Sequence, residues 1–103
     1  MVTKYSVKWT IEAKNDLRSI MEYIVAVESK ERALYVISAI RKKANQTSDF
    51  PLKHPKELNI NNDNIRYAIQ WSYKIVLEIK KDTIRILSIF HTAQNPDKLI
   101  KYE

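Results

Sequence analysis

Apolar positions along this 103-residue chain change period more than once, and each change marks an element. Tyr5, Val7 and Trp9 alternate with Lys4, Ser6 and Lys8, the period of a half-buried strand. Thr10 then stands where a helix N-cap would, with Glu12 in the first turn to complement the helix dipole. Ala13, Leu17, Ile20, Met21 and Ile24 keep helical spacing while Lys14, Asp16, Arg18 and Glu22 fill the other faces, which predicts an amphipathic helix to about Glu28. Ser29, with Glu31 close behind, opens a second helix whose stripe is Ala33, Val36, Ile37, Ile40 and Ala44 and which ends near Thr47. So short a join predicts an antiparallel helical hairpin, its two stripes covering one face of a sheet.

Period two returns at Ile65. Ile65, Tyr67, Ile69 and Trp71 share one parity against Arg66, Ala68 and Gln70; Tyr73, Ile75, Leu77 and Ile79 repeat it against Lys74, Val76, Glu78 and Lys80. Thr83 to His91 begins by alternating and becomes apolar on both parities at Ile86, Leu87, Ile89 and Phe90, as a strand covered on both faces does. The connections at Ser72 and at Lys81-Asp82 leave no room for a crossover helix, so these three strands form an antiparallel meander. The last of them needs a neighbour on each side, which places the opening strand beside it. The fold class is α+β: an N-terminal strand, then a helical hairpin packed on one face of a mainly antiparallel sheet that ends in the three-stranded meander. At this length residues 1–103 make one domain.

Asp49 to Asn64 breaks the pattern. It holds Pro51 and Pro55, offers Phe50 and Leu52 as anchors onto the core, and allows a short strand at Glu57 to Ile60. Lys53, His54 and Lys56 form a small basic cluster that reads as an ordinary exposed loop. The end of the chain is polar except for Leu99, Ile100 and Tyr102, which either dock on the sheet or belong to a partner interface.

Composition then removes whole classes of chemistry. The chain has no cysteine, hence no disulfide, zinc-thiolate site or thiol nucleophile, and only two histidines, far apart in sequence. It has no glycine, which excludes glycine-rich nucleotide loops and leaves Asn61-Asn62-Asp63-Asn64 and Lys81-Asp82 to make the turns. Neither a metal nor a nucleotide cofactor is expected. No apolar run approaches the ~18 residues of a membrane span, and the amino end has no signal-peptide core, so a soluble, cytoplasmic protein with no membrane partner is expected. Eighteen basic residues against 12 acidic ones give a net charge of +6, and the excess lies from Arg41 onward. Such a field suits an anionic partner, nucleic acid or an acidic protein segment, and serves equally as a solubilising surface.

Candidate chemistry sits on the meander. Arg66, Lys74 and Arg85 are permanent cations that could hold phosphate oxygens, and His91 titrates near neutrality at ~6.5 in its unperturbed form. Metal-free RNA cleavage by an internal 2′-hydroxyl needs a base, an acid and fixed positive charge around phosphorus, so His91, Lys74 and Arg66 form the catalytic set of a nuclease if register brings them together. Solvent-facing strand residues and a strand-end histidine held by a backbone carbonyl are the plainer reading of the same positions.

The strand opening at IR, the segment YKIVLEI and the closing DTIRILSIFHTAQNP, together with VKWTIEAKNDLRSIMEYI at the start, resemble the RelE/ParE superfamily of bacterial toxins, closest to its ParE-like plasmid-stabilisation branch. The resemblance implies the toxin of a type II toxin-antitoxin module, with a cognate antitoxin as partner and Leu99, Ile100 and Tyr102 as candidate antitoxin contacts. ParE-like members poison DNA gyrase and need no catalytic constellation. Ribosome-dependent mRNA-cutting members resemble the chain at Lys74 and His91, but they commonly carry further basic residues and a tyrosine after the last strand. Here that stretch is Thr92-Ala93-Gln94-Asn95, and Tyr102 lies too far along to be carried over. The resemblance therefore favours a gyrase inhibitor, with an mRNA endonuclease as the alternative and a non-toxic, antitoxin-binding module as a third.

Overall fold

The computed structural model describes residues 5–57 and 62–93. β1 (Ser6–Trp9) leads into α1 (Ile11–Val27) and α2 (Lys30–Gln46); a single 3₁₀ turn (Pro51–Lys53) precedes β2 (Ile65–Gln70), β3 (Tyr73–Ile79) and β4 (Thr83–His91). Both helices start at the caps the sequence marks. The Ser29 hydroxyl accepts from Arg32 N at 3.0 Å. The Thr10 hydroxyl accepts from Ala13 N at 3.1 Å and donates to Ile86 O at 2.8 Å, so one side chain both caps α1 and ties it to β4.

The strand order is β1-β4-β3-β2, with β1 parallel to β4 and the meander antiparallel. β4 is interior and the opening strand lies beside it, as a strand apolar on both faces requires. α1 covers β4 and α2 covers β2. Ala13, Leu17, Ile24, Val36, Ile37 and Ile40 meet Ala68, Ile75, Leu77, Ile84, Ile86 and Ile89 in the main core. Ile65, Val76, Leu87 and Phe90 form a second buried cluster on the opposite face of the sheet.

The structure decides which side of β2 is buried and corrects one local reading, the loop anchors. In β2 the bulky parity of Ile65, Tyr67 and Ile69 faces away from the helices, because Ala68 pairs with Ile75 and Ile75 with Ile89, the residues of the helix-side core. A small side chain there lets α2 close on the edge strand. Phe50 and Leu52 do not anchor the loop: both are about two-thirds exposed, and Pro51 between them is buried. The short strand expected at Glu57 to Ile60 falls largely outside the described residues; just before it, a bridge between Lys56 and Arg66, with Glu57 N donating to Ile65 O and Tyr67 N to Pro55 O, covers the free edge of β2. Leu58 to Ile60 lie outside the described residues.

Asp63-Asn64 and Lys81-Asp82 do make turns, as expected, but without a left-handed residue. Among the described residues, positive φ is found at Trp71 (56°) and not at the Asn and Asp positions. Trp71 and Ser72 join β2 to β3 as a two-residue hairpin, a connection whose primed turns demand positive φ at the first position. A bulky residue in that region costs roughly 1–2 kcal/mol. Trp71 stacks on Tyr35 of α2, ring centroids 5.7 Å apart, which offsets part of the cost.

β4 carries one bulge. Leu77 faces Ile86 and Val76 faces Ser88, leaving Leu87 as the extra residue. β1 ends opposite Ile86, so β4 loses its neighbour just as it bulges. The Asp16 carboxylate, projecting from α1, takes over: it accepts from Ile89 N at 2.9 Å and from the Ser88 hydroxyl at 3.0 Å.

Candidate functional site

Register separates the residues that the sequence nominates. Lys74 lies opposite Phe90 on the face away from the helices, and Arg85, opposite Glu78, shares that face two pleats along. His91 lies opposite Tyr73 on the helix face. Arg66 is also on the helix face, opposite Leu77, but at the far end of the sheet from His91. The four side chains do not converge on a common point.

Each also has a local commitment. Lys74 makes an ion pair with Glu57, with side-chain exposures of only 17% and 1%, and its ammonium sits 4.3 Å from the centre of the Tyr67 ring. Arg66 Nη1 donates to His54 O at 2.9 Å and to Leu52 O at 3.2 Å, which holds the 3₁₀ segment against β2. Arg85 bonds Glu78 at 2.9 Å. The His91 ring meets Tyr73 edge-on at 5.6 Å, and its Nδ1 accepts from Ala93 N at 3.1 Å. His91 and Tyr73 line a shallow pocket with Ile24, Glu28, Arg32 and Trp71. Burial, then Glu28 and Tyr23, hold the Tyr73 phenol above its ordinary 10.0 against an opposing pull from Arg32. Tyr73 therefore stays protonated at neutral pH. Glu57 escaped the sequence reading because nothing in a loop acid beside Lys56 announces a buried partner for a strand lysine.

Two further surfaces belong to the description. Between the helices a groove of about 490 Å³ has Leu17, Met21 and Ile37 in its floor and Lys14, Arg18 and Arg41 around it; Trp9 closes one end through Nε1 to Asn45 Oδ1 at 3.1 Å. Leu99, Ile100 and Tyr102, the candidate antitoxin contacts, lie outside the described residues. Among the described residues no group of three or more His, Cys, Asp or Glu side chains is arranged to hold a metal, and no helix is long and apolar enough to cross a membrane.

His54 is the second histidine. Its pKa lies below the ordinary 6.5, first through burial and then through the charges of Lys43, Lys53 and Arg66. Because the unfolded chain takes up this proton first, the contribution of His54 to stability is complete above about pH 6.5 and is lost as pH falls from there through the lower folded value. The melting temperature of His54→Gln should accordingly fall less than that of the parent between pH 7 and 5. Equal falls would assign the acid sensitivity to other groups.

A four-stranded sheet in the order β1-β4-β3-β2 under a helical hairpin is the fold of RelE/ParE-type toxins. Solved structures share it: the chromosomal ParDE toxin-antitoxin system from P. aeruginosa matches with a TM-score of 0.74 at 22% identity, over 87% of this chain and 98% of that one. The toxin-antitoxin complex RelBE2 from Mycobacterium tuberculosis matches with a TM-score of 0.67, also at 22% identity, over 91% and 98%. The chain belongs to the family described as ParE toxin of type II toxin-antitoxin system, parDE, whose pattern it matches over residues 7–96. No curated protein matches it.

Proposed function

We propose that this toxin acts on DNA gyrase rather than by cutting mRNA, and that a cognate antitoxin neutralises it. The observation that carries the reading is the separation of Lys74 from His91. A transesterification site needs its proton-transfer group and its phosphate-binding cation around one phosphorus atom. Here they are on opposite faces of the sheet, and the cation is already paired with a buried carboxylate. A protein that inhibits by binding needs no such convergence. Membership of the ParE family and the likeness to a ParDE system point the same way.

The antitoxin reading draws on the groove between α1 and α2. An apolar floor edged by Lys14, Arg18 and Arg41 suits a segment that combines aliphatic and acidic residues and folds as it binds. The two solved structures named above are of toxin-antitoxin systems. Leu99, Ile100 and Tyr102 extend the same proposal to the end of the chain, and cytoplasmic action follows from either target.

The test is growth inhibition by His91→Ala at matched expression, with gyrase-DNA cleavage complexes and ribosome-bound mRNA ends assayed in parallel. Near-parental toxicity with accumulated cleavage complexes is expected. A nuclease would lose the ~10²- to 10⁴-fold that a proton-transfer group typically contributes, and its toxicity with it. Complete detoxification of a variant with unchanged melting temperature puts the nuclease first. A parent chain without toxicity leaves antitoxin binding as its function.

A further inference from the structure

Beyond the choice of target, the segment that joins α2 to β2 carries a site of its own. Lys43, Lys53 and His54 line an open pocket of about 300 Å³ together with Gln46, Asp49 and Phe50. Arg66 stands behind it, its guanidinium bonded to the carbonyls of Leu52 and His54 and its buried Nε without a hydrogen-bond partner among the described residues. Asp49 is the single acid in the lining. Neither Lys43 nor Lys53 makes an ion pair with a described residue, whereas Lys56, next in the same loop, pairs with Asp63 at 3.5 Å.

A helix end usually explains such cations, because lysines near it answer the negative pole. That need is already met here. Ala44 O accepts from Thr47 N and from the Thr47 hydroxyl, the latter at 2.7 Å; Asn45 O accepts from the Ser48 hydroxyl and Gln46 O from Asp49 N, each at 3.1 Å. Neither lysine is needed as a donor to these carbonyls, and after burial the charges of Lys43, Lys53 and Arg66 add to the lowering of the His54 pKa. The pocket is also fixed in shape: Lys53 N donates to Phe50 O, His54 N to Pro51 O, and Pro51 is buried.

Phe50 indicates what kind of anion fits. Its ring is 66% exposed beside Lys53, whose ammonium lies 5.9 Å from the ring centre. A free phosphate has no use for an exposed ring, whereas a nucleotide offers a base to lay against it. Cations that hold the backbone next to an aromatic face are the usual means of binding a single strand. We propose that this pocket binds a phosphate group of a single-stranded nucleic acid, with Lys43, Lys53 and His54 toward the phosphate oxygens and Phe50 against the adjoining base. The site requires neither target of the proposed function, since strands are present both where gyrase opens DNA and on mRNA.

The experiment is an NMR titration of the purified full chain, at matched ionic strength, with inorganic phosphate, an eight-residue oligothymidylate and the corresponding duplex. The oligothymidylate should bind at least tenfold more tightly than phosphate and than the duplex, and should raise the His54 pKa. Lys43→Ala and Lys53→Ala should each flatten the dependence of log affinity on log salt by about one ion's worth. Phe50→Ala should weaken the oligonucleotide roughly five- to a hundredfold and leave phosphate unchanged. All three side chains are at least partly exposed, so the variants should fold, and their melting temperatures check this. Oligonucleotide binding that leaves the His54 ring unmoved, or that survives Lys43→Ala/Lys53→Ala intact, overturns the site. Phosphate as tight as the oligonucleotide overturns the strand as its ligand.

Discussion

Glu57→Ala is expected to destabilise the fold by about 2–3 kcal/mol, a large loss for a residue in an irregular loop. Glu57 is buried, and its carboxylate is the counter-ion of Lys74, itself mostly buried between Tyr67 and Phe90 on the second face of the sheet. Removing one member of a buried pair leaves the other charge uncompensated, typically at ~3–5 kcal/mol, and the residual exposure of Lys74 reduces that figure. The cost should come largely from the stranded charge and not from the lost attraction. Glu57→Leu combined with Lys74→Met should then regain most of the stability, since an apolar pair of similar size is often neutral or better. Urea midpoints of the two singles and the double close the cycle. A Glu57→Ala variant within ~0.5 kcal/mol of the parent would show that Lys74 reaches water readily, and would remove the objection to its acting on a phosphate.

Asp16→Ala should cost a similar amount, about 2–3 kcal/mol, from a different cause. Its carboxylate satisfies Ile89 N and the Ser88 hydroxyl where β4 has bulged past the end of β1. Hydrogen bonds to a charged acceptor contribute roughly 1.5–3 kcal/mol, and the deletion leaves a buried N–H unpaired. Asp16→Asn keeps an acceptor without the charge and should lose only about 1 kcal/mol. Amide exchange at Ile89 distinguishes this cause from general loosening. Its protection should drop further than that of Ile75, which is held by β-ladders alone. Parallel losses at both amides would mean that Asp16 supports the whole domain and not the bulge.

What could be read in the sequence was whatever repeats. Thr10 and Ser29 cap the helices they precede, and the stripe from Ala33 to Ala44 is buried as its spacing implies. The interior position of β4 follows from a row of apolar residues on both parities. Features set by one contact between distant residues were not legible. Nothing near Glu57 names Lys74, and nothing near Asp16 names Ile89. Alternation in β2 identified a strand but not its buried side, because both faces of this sheet carry apolar clusters and the smallest residue, Ala68, lies under α2. The candidate site failed to assemble for the same reason. The two-residue turn at Trp71-Ser72 sets a register that puts Arg66 and Lys74 on opposite faces, and the bulge at Leu87 does the same to Arg85 and His91.

The parallel pairing of β1 with β4 bears on how the chain can be born. Ser6 to Trp9 wait for Thr83 to Ile86, and Thr10 and Asp16 wait for the same strand. At roughly 5–20 residues per second a ribosome takes on the order of 4–17 s to pass from β1 to the end of β4. Until then the hairpin of helices has only half its sheet to close upon. Folding thus waits for β4, and a message broken before the β4 codons yields no miniature toxin, only an open chain for proteases to clear.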